Sequence, residues 1–204
     1  MNKVYVVMYH YTRDLKYSRY PAIKGLDYKL FEKQISFLND NFNIVTMEEM
    51  IENLNCPHCK LPENAVLLTF DDGYIDNYTY AFPILQKYGI QGSFFIPGKT
   101  FYEHKLLDVN KIHFILASAS GEDILNDLYQ QLNYYRKSTK EEYMSNDELF
   151  SKYAVANRFD SKEVIFIKRV LQTVLPEDIR NIITSNLFNK YVGVNEETFA
   201  RELY

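Results

Sequence analysis

The chain has 204 residues, 47% of them apolar and 25% charged, which excludes a disordered chain and suits one large domain or a domain carrying a sizeable insertion. A net charge of −4 offers no basic footprint and argues against a nucleic-acid partner. No run approaches the roughly 20 apolar residues of a membrane span. The N-terminal run Val4 to Tyr9 is too short for an export signal and meets His10, Arg13 and Asp14, so a cytoplasmic location is expected.

The first hundred residues alternate strand and helix signals. Val4-Tyr5-Val6-Val7-Met8-Tyr9 reads as a buried strand, continuous and rich in β-branched and aromatic residues. Asp27 is placed to cap a helix in which Leu30, Phe31, Gln34, Ile35 and Leu38 keep helical spacing. Phe42 to Val45 is a short strand, and Thr46 caps a helix over Met47 to Leu54 with Glu48 and Glu49 in its first turn. Ala65 to Phe70 is a third strand. A helix over Ile75 to Tyr88 follows, with Pro83 in its interior as a kink or break and Gly89 at its end. Gly92 to Pro97 is the fourth strand. This order implies parallel strands with helices outside, in an open α/β sheet or a (β/α) barrel.

After about Lys99 only helical patterns remain. Ile112, Ile115 and Leu116 share a face, as do Ile124, Leu128, Leu132 and Tyr135. Val164, Ile167, Leu171 and Val174 repeat the pattern, and so do Ile179, Ile182, Ile183 and Leu187 after Pro176. Gly193 is a helix stop, and a last helix begins near Asn195 with Phe199 and Leu203 on one face. These stripes are core-packing faces.

Cys56 and Cys59, the only cysteines, form Cys-Pro-His-Cys after a helix and before a strand. A redox pair normally opens a helix, whose N-terminus lowers the thiol pKa, so the order here is reversed. An inert loop is the leading reading. A metal site with His58 as a third ligand lacks a second Cys pair to complete it.

Thr69-Phe70-Asp71-Asp72-Gly73-Tyr74 is the most informative segment. Two adjacent carboxylates at the end of a buried strand repel one another and lose hydration, a cost that a cation, a proton or a donor network must offset. In parallel α/β folds, sites lie at the C-terminal ends of strands. Asp71 and Asp72 occupy that end of the third strand and His10 that end of the first.

With Asp76-Asn77-Tyr78, Pro83-Ile84-Leu85, Tyr88-Gly89-Ile90 and Phe94-Phe95-Ile96-Pro97, this segment resembles the first motif region of the polysaccharide deacetylases, the NodB-homology carbohydrate esterases of family four. The Met8-Tyr9-His10 strand end, Phe31-Glu32-Lys33-Gln34 and Phe37-Leu38 resemble the same family's N-terminal part, so the resemblance covers residues 3–98. It implies an α/β fold: a partial, deformed (β/α) barrel over 1–98, followed by an all-helical insertion over 99–204. It also implies metal-dependent removal of acetyl groups from N- or O-acetylated sugars. Asp71 would be the general base, Asp72 a ligand to a divalent metal such as zinc, and His10 and Tyr74 substrate-binding residues.

The chain departs from the family in one large respect. The HxxxH pair that completes the family's metal is missing, since His58, His104 and His113 include no i, i+4 pair. Zinc is therefore expected to bind weakly or not at all, and the chemistry to be incomplete in these residues. The alternative is a carbohydrate-binding protein that keeps the cleft without the reaction. Four parallel strands cannot close a barrel, so strand four is expected to leave an open edge or to be covered by the helical half, and the chain to be marginally stable or to form a homodimer through that region.

Overall fold

The computed structural model describes residues 3–56, 58–138 and 144–204. They form two compact units, Met1–Lys105 with Phe199–Tyr204, and Leu106–Thr198. The first unit thus runs a few residues past 98 and takes back the C-terminus.

The first unit is built on four parallel strands. β1 (Val4–Tyr9), β4 (Asn43–Val45), β5 (Ala65–Phe70) and β6 (Ser93–Phe94) form one sheet, while β2 (Thr12–Arg13) and β3 (Leu26–Asp27) form a separate parallel pair absent from the sequence reading. β5 lies at the centre of the larger sheet. β1 runs beside it in register from Val4↔Ala65 to Tyr9↔Phe70. Its other edge is shared: β4 pairs with Ala65 to Leu67, and β6 with Thr69 and Phe70. Every residue of β5 is buried, as expected for a parallel strand covered on both faces.

Two helices cover one face of the sheet. α1 (Tyr28–Asn41) is capped by Asp27, whose side chain accepts from Lys29 N. α3 (Phe82–Tyr88) ends at Gly89, in the left-handed conformation. Phe31 and Ile35 of α1 and Ile84 and Leu85 of α3 close on Tyr9, Val66, Leu68 and Phe70. Tyr9 meets Phe31 edge-on at 5.0 Å and stacks on Phe70 at 5.2 Å. α2 (Met47–Asn55) carries the expected cap as a full capping box, Thr46 and Glu49 bonding each other's backbone N–H.

The segment around Pro83 stays helical. A π-helical turn, Asn77–Ala81, precedes α3, and Pro83 falls in the first turn of α3, where a missing N–H costs little. The wider turn replaces the expected break. The expected strand over 92–97 is ordered as a strand only at Ser93–Phe94, extended by the Phe95 N–H donating to Phe70 O at 2.8 Å.

β1 corrects the expectation of a buried strand. Val7 and Tyr9 pack into the helix-covered core, but Val6 and Met8 are about 60% exposed (58% and 60%). Alternate residues of a strand face opposite sides, and on the other side Val4 packs with Ala65, Leu67, Val45, Leu61 and the α2 residues Met47 and Met50, a cluster that does not extend over Val6 and Met8. The sheet is an open, mixed helix-and-strand arrangement, without ring closure among the described residues.

Cys56 and Cys59 are joined in a disulfide in the loop after α2, with Cys59 O accepting from Asn53 Nδ2. Both sulfurs are spent in that bond, so no metal half-site forms there.

The second unit is helical: α5 (Asp108–Ser118), α6 (Gly121–Ser138), α7 (Asn146–Tyr153), α8 (Lys162–Arg169) and α9 (Glu177–Tyr191). α4 (Gly98–Glu103) belongs to the first unit, and α10 (Glu196–Leu203) ends in it. The predicted stripes form the core: Ile112, Ile115, Ile124, Leu128, Ile167, Leu171, Ile183 and Leu187 are all buried. Ile182 differs, lying 47% exposed although it shares the apolar spacing of its helix. A second π-helical turn, Val170–Val174, follows α8. Gly193 stops α9 in the left-handed conformation, its N–H donating to Phe188 O.

The two faces of α1 give a direct test by chemical denaturation. Phe31→Ala removes a fully buried ring and should cost about 3–5 kcal/mol, whereas Leu30→Ala, one residue away and half exposed, should cost under about 1 kcal/mol.

Candidate active site at the C-terminal ends of β1 and β5

Parallel pairing of β1 with β5 sets the ends of both strands side by side. The Asp71 N–H donates to Tyr9 O at 2.9 Å, which carries the ladder one residue past the strand ends. The next side chain on each strand is then His10 or Asp71. His10 Nε2 and Asp71 Oδ2 lie 4.0 Å apart, each about one-third exposed (39% and 32%). The expectation that sequence-distant ionisable groups share one rim is met in the geometry.

Asp72 and Gly73 turn the chain sharply from β5 into the following helix. Both have positive φ, +70° and +65°. Glycine tolerates that conformation freely, and aspartate more readily than most residues. A Cβ at Gly73 would also lie 3.0 Å from Ile96 Cγ2, so the dihedral favours glycine and the Ile96 side chain would have to shift for any other residue. The cost of a left-handed Asp72 is the kind of local strain found where a side chain must be aimed.

Tyr74 fixes that aim. Its hydroxyl donates to Asp72 Oδ2 at 2.5 Å, and the residue is only 2% exposed. Its ring stacks on Tyr11 at 4.3 Å and on Tyr204 at 5.7 Å. Burial, with Tyr11 and Asp72 beside it, pushes the Tyr74 hydroxyl far above the usual phenol range, so it remains a donor. Burial raises Tyr11 in the same way. Tyr74 therefore differs from the sequence expectation of a substrate-facing residue: it holds Asp72 from behind and presents almost no surface to a sugar.

Behind the tyrosines lies a buried ion pair that sequence reasoning missed. Arg13 Nε donates to Asp76 Oδ2 at 2.6 Å, and both residues are over nine-tenths buried. The Arg13 guanidinium also lies over the Tyr11 ring, 4.8 Å from its centroid. Burial pushes the Asp76 carboxyl above its usual range, while Arg13 opposes that shift. The available signal was the charge of Arg13 and Asp76 close to strand ends, but no periodicity links residues 63 positions apart.

The described residues do not complete a metal centre. No group of three or more His, Cys, Asp or Glu side chains among them could hold an ion. Asp72 already accepts a bond from Tyr74 on one oxygen, and His10 stands beside Asp71. A catalytic zinc normally takes three protein ligands. The residues present do not fit one.

The family model for polysaccharide deacetylase matches residues 58–144, which include the Asp71–Asp72 turn. YxkH of Bacillus subtilis (strain 168), named as a polysaccharide deacetylase, is 37% identical over 109 residues, 52% of this chain and 36% of YxkH. Over these residues the chain is similar to polysaccharide deacetylases. It spans about a third of the length of that curated relative. Among solved structures, IcaB from Ammonifex degensii is 32% identical, covering 47% of this chain and 39% of IcaB with a TM-score of 0.40. A de-N-acetylase from Aggregatibacter actinomycetemcomitans is 29% identical, covering 49% of this chain and 39% of that one with a TM-score of 0.41. The family is generally metal-dependent, and the ligand count above is therefore a property of these residues rather than of the family. No helix among the described residues is long and apolar enough to cross a membrane.

The Arg13–Asp76 pair supplies a stability test. Arg13→Met leaves an uncompensated buried carboxylate and should cost about 3–5 kcal/mol, while Arg13→Met with Asp76→Leu should recover most of that loss in urea melts.

Proposed function

We propose that the rim formed by His10, Asp71 and Asp72 is the reaction centre of a carbohydrate deacetylase, of which the described residues supply only part. The observation that carries this reading is the placement of His10 and Asp71 4.0 Å apart at the ends of paired parallel strands, in a deacetylase-family sequence. Asp71 is the general base. Its partly exposed carboxylate can take the proton of a water attacking the acetyl carbonyl of a sugar and return it to the sugar nitrogen (or oxygen, in an ester) as the C–N (or C–O) bond breaks, which releases the sugar amine (or alcohol) and acetic acid, ionised to acetate in solution. His10 faces the same solvent and is suited to hydrogen-bond the sugar beside that base.

Asp72 has a separate role. The left-handed turn and the Tyr74 hydroxyl hold its carboxylate in one orientation, which suits a residue reserved for a divalent metal such as zinc. The remaining ligands are not among the described residues, so no step is assigned to the metal here. Residues 99–204, read as a helical insertion, are assigned no part in the reaction. The missing ligand cluster also favours the second reading, a carbohydrate-binding protein without turnover.

Two measurements on the 204-residue chain separate these readings. In NMR titrations, tri-N-acetylchitotriose is expected to shift the His10, Asp71 and Gly73 resonances. Absence of any shift at this rim would remove the carbohydrate assignment. In acetate-release assays with added zinc, the chain is expected to show no turnover above the blank. Zinc-dependent release that Asp71→Asn lowers by about 100-fold or more would show instead that the ligand set is complete within these residues.

A further inference from the structure

The helical unit carries a polar groove of about 360 Å³ between α6 and α9 that the rim chemistry does not use. On α6 it is lined by Asp127, Gln130, Gln131 and Tyr134, which at i, i+3, i+4 and i+7 share one helix face. On α9 it is lined by Asn186 and Lys190, one turn apart. The opposite side of α6 holds the core residues Leu128 and Leu132, so core packing does not account for this stripe.

The groove's chemistry is that of a neutral polyhydroxyl ligand. Its charges cancel locally, because Lys190 is paired with Asp127, which also accepts a hydrogen bond from the Tyr191 hydroxyl. Burial pushes the Asp127 carboxyl up, but the Lys190 and Tyr191 bonds outweigh it and hold the group below its usual range, ionised and paired. The Asn186 Nδ2 donates to Gln131 Oε1 at 3.0 Å, which orients both amides. That bond leaves the Gln131 amide N–H groups and the Asn186 carbonyl oxygen as a donor and an acceptor on adjacent helices. Adjacent donor and acceptor groups match the vicinal hydroxyls of a pyranose.

The aromatic component is present as well. Tyr134 is 69% exposed at the groove, its ring near-perpendicular to that of Tyr135 with centroids 5.7 Å apart. An aromatic ring with a polar tip offers an apolar face to the C–H side of a sugar while its hydroxyl stays wet.

We infer that the α6–α9 groove of the helical unit is a second carbohydrate-binding site, for one or two neutral, acetamido-bearing sugar units of a glycan chain. The choice of an acetamido sugar rests on the deacetylase reading above; the polyhydroxyl character rests on the groove itself. No covalent step is assigned to it.

An NMR titration of the whole chain with tri-N-acetylchitotriose tests this, read at the Gln130, Gln131 and Asn186 side-chain amides and the Tyr134 ring. Saturable shifts at these groups are expected, with a Kd on the order of 1 mM. Tyr134→Ala and Gln131→Ala, both at surface positions, should each weaken that Kd about fivefold with the rest of the amide spectrum unchanged, while Asp71→Asn should leave it unaltered. No saturable groove shift up to about 20 mM sugar, or a Kd untouched by both groove substitutions, overturns the inference. Shifts at the His10–Asp71 rim alone would sink the groove and keep the deacetylase reading, and shifts at the groove alone would do the reverse.

Discussion

Strand β5 is hydrogen-bonded along both edges and buried along its whole length, and the candidate site depends on that restraint. A strand paired only on one side can slip or fray; one held between β1 and the β4–β6 pair has a single register. The carboxylates of Asp71 and Asp72 leave β5 where its pairing ends, so their position inherits this rigidity. The left-handed Asp72–Gly73 turn then separates them. One carboxylate stays at the solvent rim beside His10, and the other is tied back to a buried tyrosine.

The backing of the site is polar as well as aromatic. Tyr74 is clamped between Tyr11 and Tyr204, and Tyr11 in turn lies under the Arg13 guanidinium that pairs with Asp76. A buried ion pair is a poor source of net stability but a demanding geometric element, since either member left alone is costly. That makes Arg13–Asp76 a fixed point for β2 and for the helix that follows the turn. It also joins the chain entering the site from β1 to the chain leaving it from β5.

The helical unit reads differently on its two kinds of surface. Its interior is an apolar core of helix faces, with a π-helical turn after α8 that accommodates one extra residue. Its α6–α9 groove instead collects amides, a neutralised ion pair and an exposed tyrosine.

Much was legible in the sequence because it is written locally. The caps at Asp27 and Thr46, the Gly89 and Gly193 stops, the buried β5 and the common rim of His10 and Asp71 all follow from short-range pattern and strand polarity. The helical stripes of residues 112–187 did too, apart from Ile182. What depended on neighbours in space was not legible. A continuous apolar run does not say which of its faces is covered, so Val6 and Met8 were expected to be buried and are exposed. Spacing around Pro83 predicts disturbance but not a π turn, because one inserted residue leaves the apolar periodicity unchanged on either side. Tyr74 carries the same residue type whether it faces a sugar or supports Asp72, and only the rings of Tyr11 and Tyr204 packed against it decide for support. The sequence by itself determined the family resemblance, most of the elements and the residues at the rim, since those are set by local pattern and strand direction. The tertiary structure alone decided which carboxylate stands at the rim beside His10 and which is held by Tyr74, and that Arg13 answers Asp76, because those outcomes depend on burial and on contacts that local pattern does not encode.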